Sequence, residues 1–102
     1  MMIYALLKEN NIETAYLFYS YEELHRATFN PEIETTCTIE LGRLKGKTYK
    51  ERKADIESKA IEFSNNQEGG LSYGELFEIE DYFRKYGKRY GLLTDFRENA
   101  IC

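Results

Sequence analysis

Apolar residues recur with two different periods along this chain, a strand-like one in the first forty or so positions and a helix-like one after them. Residues 2–8 are largely apolar and contain Ile3 and Tyr4, while residues 12–19 carry Tyr16, Leu17, Phe18 and Tyr19. The Glu9-Asn10-Asn11 stretch between them reads as a turn, so the two runs predict a β-hairpin. A short helix over about residues 21–28 follows, and Pro31 blocks its continuation. Residues 33–41 set Ile33, Thr35, Cys37, Ile39 and Leu41 against Glu34, Thr36, Thr38 and Glu40. That period of two predicts a third strand with one buried and one wet face.

The second half reads as helices. Ser20 with Glu23, Thr48 with Glu51 and Ser72 with Glu75 each place a hydroxyl three residues before a glutamate, the spacing of a capping box. The second box opens a helix over residues 49–65, with Tyr49, Ile56, Ala60 and Phe63 on its apolar stripe and Lys53 filling the missing position. The third box opens a helix over residues 73–86, with Leu76, Ile79, Phe83 and Tyr86 inward and Gly87 as its stop. A last short helix over residues 92–99 offers Leu92, Leu93 and Phe96. The fold class expected is α+β: a small antiparallel sheet of about three strands, an N-terminal hairpin plus one strand, followed by a helical C-terminal half. Residues 1–102 are expected to form a single domain, since a chain of this length has apolar residues for one modest core.

Charge adds information that periodicity does not hold. The net charge is -4, but residues 1–40 carry seven acids and two bases, and residues 41–59 seven bases and three acids. Residues 60–83 carry six acids and no base, and residues 84–102 five bases and two acids. Such blocks arise on the solvated faces of ordinary helices, and they also arise on surfaces with separate acidic and basic patches that orient a charged partner. Nine tyrosines and six phenylalanines accompany them, and tyrosine joins a broad apolar contact to a polar tip. No apolar run approaches the length of a membrane span, and residues 1–7 lack the basic and apolar regions of a signal peptide, so a cytoplasmic protein is expected. In that compartment Cys37 and Cys102 are expected as free thiols, although a disulfide between them is conceivable.

Catalytic chemistry is sparse. His25, within Glu22-Glu23-Leu24-His25-Arg26, has no second histidine, serine or cysteine motif to work with, so it reads as a surface residue of a helix and no enzyme is expected. A metal or other cofactor is not expected either, because no paired cysteine spacing accompanies the single histidine. The glycines at 69 and 70 have neither Walker nor dinucleotide spacing. Glu75, Glu78, Glu80 and Asp81 fall close together, as a divalent-metal nuclease would want, but i, i+3 carboxylates are common on wet helix faces. The same four acids, with Tyr73 and Tyr82 as aromatic anchors, are the candidate protein-binding residues, because carboxylates replace phosphates against a partner's Arg and Lys. Arg43, Lys45, Lys47, Arg84, Lys85, Lys88 and Arg89 are the candidate nucleic-acid-binding residues, the later ones interleaved with Tyr82, Phe83, Tyr86 and Tyr90. The acidic total and the acid-only block argue against direct nucleic-acid binding.

The stretch Leu71-Ser72-Tyr73-Gly74-Glu75-Leu76, through Asp81-Tyr82-Phe83-Arg84-Lys85-Tyr86-Gly87 and Arg89-Tyr90-Gly91-Leu92-Leu93, to Asp95-Phe96-Arg97-Glu98-Asn99, resembles a C-terminal segment of small proteins carried by conjugative elements of Gram-positive bacteria. By size, acidity and that context the whole chain is similar to the small anti-CRISPR proteins directed at type II-A Cas9. Those proteins share no common motif, so the resemblance assigns no residue a role. It implies a non-enzymatic inhibitor in the cytoplasm of a host bacterium, binding Cas9 or a Cas9–guide complex. Cas9 holds its guide in a strongly positive channel, and interference with guide loading or DNA binding is the mechanism that acidic blocks suit. The alternative expectation is a nucleic-acid-binding accessory protein of a mobile element that uses the basic clusters. A guide-cleaving metal nuclease and a plain structural or regulatory subunit are weaker rivals. Exposed tyrosines would equally serve a homodimer.

Overall fold

A computed structural model describes residues 1–99 and residue 101. The order of elements is β1 (Met2–Glu9), β2 (Ile12–Phe18), α1 (Tyr21–Ala27), β3 (Glu34–Leu41), α2 (Tyr49–Asn65), α3 (Tyr73–Tyr90) and α4 (Leu93–Glu98). The fold is α+β, with one antiparallel sheet in the order β2-β1-β3. Asn10 and Asn11 both sit at positive φ, 53° and 65°, as a two-residue hairpin turn requires, and asparagine tolerates that region better than most side chains.

β1 is the middle strand and is covered on both faces, by α2 and α3 on one and by α1 on the other, which is why its sequence is a continuous apolar run rather than an alternation. Tyr4 and Leu6 join Ala15, Leu17, Ile39 and Leu41 against Ile56, Ala60 and Phe63 of α2 and Ile79 and Phe83 of α3. Ile3, Ala5 and Leu7 face the other way and meet Leu24 of α1 with Phe18, Ala27 and Ile33 around them. Ile33 therefore packs on the face opposite Cys37, Ile39 and Leu41, although the alternation puts all four together. The reason is a β-bulge: Leu6 pairs with Cys37 but Leu7 pairs with Thr35, leaving Thr36 as an extra residue. One extra residue inverts the facing of everything beyond it.

Thr48 and Ser72 both close full capping boxes with Glu51 and Glu75. Ser20 accepts from the Glu23 amide, but the Glu23 carboxylate takes the Tyr19 amide, one residue outside the cap, at 2.8 Å. The C-terminal end of α3 departs from the periodic reading. Gly87 does not stop α3, which runs one turn further to Tyr90 and ends at Gly91 in the left-handed region, φ 71°. Gly87 is instead a buried packing position, where an added Cβ would lie 2.8 Å from Phe96 Cδ2. Leu76 is correspondingly more exposed than the stripe suggests, and Tyr82 takes a buried place.

Five of the buried aromatics form one connected series. Tyr4 meets Phe63 edge-on at 5.0 Å, Phe63 meets Phe83 at 5.5 Å, and Phe83 meets both Tyr82 at 5.4 Å and Phe96 at 6.0 Å. These contacts tie sheet, α2, α3 and α4 into a common interior. No helix among the described residues is long and apolar enough to cross a membrane.

Candidate binding surfaces on the two halves of α3

The N-terminal half of α3 carries the predicted acidic site. A helix turns by about 100° per residue, so the carboxylates at 75, 78, 80 and 81 radiate around the axis instead of forming one patch. Their local chemistry separates them further. Glu75 is half-buried and its carboxylate accepts the Ser72 amide at 2.9 Å, so it is spent on the cap. Glu78 accepts the Tyr19 hydroxyl at 2.5 Å, and this bond, more than partial burial, pushes the Tyr19 phenol up to about 12. Asp81 lies 3.7 Å from the Arg84 guanidinium, an exposed i, i+3 pair of small energetic weight. Glu80 is half-buried on the flank of the helix.

The two predicted aromatic anchors have opposite fates. Tyr73 is 92 % exposed, whereas Tyr82 is 9 % exposed and donates its hydroxyl to the Gly42 carbonyl at 2.9 Å. Burial raises the Tyr82 phenol well above its ordinary value. Tyr82 is thus a core residue that braces the start of the 42–48 loop and is withdrawn as a partner contact. In its place stands Phe77, four residues after Tyr73 on the same outward stripe and 57 % exposed. Tyr73 and Phe77 make an aromatic ridge with Leu76 and Glu80 to one side and Glu78 and Asp81 to the other. The spacing from Tyr73 to Phe77, which puts both on a stripe apart from that of Ile79 and Phe83, is a signal already present in the sequence.

The basic candidates come together at the other end of the helix. The loop between β3 and α2 is tied down at several points. The Lys45 amide donates to Asp55 Oδ2 at 2.8 Å, the Lys47 amide to Glu51 Oε2 at 2.7 Å, and Arg52 Nε to the Gly46 carbonyl at 3.1 Å. Gly46 permits this path, since at φ 118° a Cβ would sit 2.5 Å from the Glu51 side chain. Arg43 and Arg89 meet Arg52 around a cleft of about 310 Å³ whose remaining wall is Leu44, Tyr86 and Tyr90. Lys85 Nζ and Arg89 Cζ each lie 5.8 Å from the Tyr86 ring centroid. Lys45, Lys47, Arg84 and Lys88 are exposed but do not line that cleft. Arg52, a member of the same basic run of residues 43–53, does.

His25 is exposed on α1, and no group of three or more His, Cys, Asp or Glu residues fit to hold a metal ion occurs among the described residues. Cys37 is half-buried, and burial, aided by Glu62 and Glu13, raises its thiol. The pairing with Cys102 lies outside the described residues. No protein-family model, curated protein or solved structure matches the chain.

Proposed function

We propose that this chain is a non-catalytic protein ligand that inhibits a bacterial nucleic-acid-handling complex, with Cas9 the partner its resemblance implies. It works in the cytoplasm of the host cell by laying the ridge of Tyr73 and Phe77 on a basic surface that the partner reserves for its guide or target. The observation that carries this reading is the exposure of those two rings on a helix whose opposite side is fully committed to the core. Large exposed rings with a polar rim are the usual mark of a protein contact, and the acids that flank the ridge favour a partner that carries Arg and Lys beside its apolar contact. Glu80 and Asp81 supply that selection most freely, since Glu75 caps α3 and Glu78 holds Tyr19.

Plasmid interference by Cas9, measured with and without the protein, tests this. The double variant Tyr73→Ala/Phe77→Ala should abolish inhibition with helix content unchanged, and Glu80→Ala/Asp81→Ala should weaken it. Full inhibition by the ridge variant would remove this face as the contact. Failure of the wild-type protein to inhibit or to bind purified Cas9, with or without guide, would remove Cas9 as the partner.

A further inference from the structure

We propose a second binding site, separate from the aromatic ridge: the cleft between the 42–48 loop and the end of α3 holds a short single-stranded nucleic-acid segment. Its phosphates lie against Arg43, Arg52 and Arg89, and an unpaired base lies against Tyr86.

Three elements each bring an arginine to this one depression: the 42–48 loop Arg43, the start of α2, which follows it, Arg52, and the end of α3, more than thirty residues on, Arg89. Like charges gathered in a cleft repel one another, and an anion relieves that repulsion. No ion pair among the described residues does so. The ion pairs among the described residues are Arg26–Glu22, Lys59–Asp55 and Arg84–Asp81, and none includes these three arginines. The chain nevertheless has carboxylates to spare, so the clustering is not forced by composition.

The cleft is also held in shape. Tyr82 fixes Gly42, Asp55 fixes Lys45, Glu51 fixes Lys47, and Arg52 itself is held by Gly46, so the loop that brings Arg43 is anchored at successive residues. A preformed site loses less ordering entropy when it binds. Its wall selects the ligand class. The half-buried Tyr86 and Leu44 offer flat and apolar area beside the arginines, with the buried Tyr90 behind them. A ligand that presents phosphates and a planar ring together satisfies both, and a free strand does so while a duplex hides its bases. A neighbouring depression shares Arg43 and Tyr86 but adds Glu78 and Asp81 beside Lys85. Those carboxylates end the phosphate track on that side and limit the bound segment to a few nucleotides. The overall acidity that argues against nucleic-acid binding is therefore a whole-chain sum, whereas the fold sorts the charge locally.

Fluorescence anisotropy of the full chain with a labelled oligouridylate of about ten nucleotides tests the site. Binding is expected at low ionic strength, with log K falling against log salt at a slope of about -2, the value for three neutralised phosphates on a single strand. Arg43→Gln alone, an exposed side chain, should weaken binding and flatten the slope by roughly one third. The triple variant Arg43→Gln/Arg52→Gln/Arg89→Gln should abolish binding, and Tyr86→Ala should weaken it between about fivefold and a hundredfold. Absent or salt-independent binding, or unaltered binding by the Arg43 variant, overturns the proposal. So does a duplex of the same length that binds equally well, or inorganic phosphate or AMP that displaces the strand at equal concentration. None of these outcomes involves Cas9, so they leave the ridge to its own test.

Discussion

Replacing Gly87 with alanine sets two opposing terms against each other at one position. In a helix interior alanine is favoured over glycine by up to about 1 kcal/mol, so a solvated Gly87 would make the variant more stable. In the folded chain the added methyl would stand 2.8 Å and 3.0 Å from two carbons of the Phe96 ring and 3.6 Å from Leu93 Cα. Phe96 is buried and packed edge-on against Phe83 at 6.0 Å, so it cannot swing away without opening the core. Overpacking of that kind costs about 1–3 kcal/mol, which leaves Gly87→Ala near neutral to about 2 kcal/mol less stable than wild type. Gly74→Ala on the same helix is the reference, because nothing lies within 4 Å of its added carbon. The difference between the two variants isolates the packing term, about 1–3 kcal/mol. Urea unfolding followed by far-ultraviolet circular dichroism, fitted with a shared slope, measures it as a separation of midpoints of roughly 0.5–2 M. If Gly87→Ala unfolds at the same urea concentration as Gly74→Ala or a higher one, α4 does not seat on Gly87 and the reasoning fails.

Two further outcomes follow from the polar contacts. Asp55 pairs with a largely buried Lys59 at 3.3 Å and also accepts the Lys45 amide, so Asp55→Ala should cost about 2–3 kcal/mol by thermal or urea unfolding and weaken strand binding at the cleft. Lys59→Met fills the space but leaves the Asp55 carboxylate with only the Lys45 amide, so it should also cost about 1–3 kcal/mol; a variant as stable as wild type would show that Asp55 does not need its partner. In an alkaline titration followed by phenolate absorbance, Tyr19 should ionise late, near 12 rather than 10.0. The folded-state value lies above the unfolded one, so its contribution to stability is whole below about pH 10 and falls as pH rises toward 12. Glu78→Ala should return one tyrosine to the ordinary range, and an unchanged titration curve would exclude the hydrogen bond.

How far function was legible differs between the two ends of α3. The aromatic ridge follows from local spacing, since Tyr73 and Phe77 share a stripe apart from that of Ile79 and Phe83. The value of each acid does not, because only the folded chain brings Tyr19 to Glu78 across fifty-nine positions and commits Glu75 to its own cap. The cationic cleft lay still further from view. Its arginines are ordinary members of two basic runs, and nothing local distinguishes Arg43, Arg52 and Arg89 from Lys45 or Lys88.

The sequence by itself determined the elements whose causes are local: the Asn10-Asn11 turn, the capped starts of α2 and α3, and the class of fold built from strands followed by helices. Each depends on hydrogen bonds or backbone dihedrals within a few residues, and those are written in neighbouring side chains. The tertiary structure alone decided which face Ile33 packs on, whether Gly87 ends a helix or admits a ring, and whether Tyr82 meets a partner or the core. A bulge, a close approach and a burial each depend on a residue distant in the chain. A one-dimensional period cannot register a neighbour that only three-dimensional packing supplies.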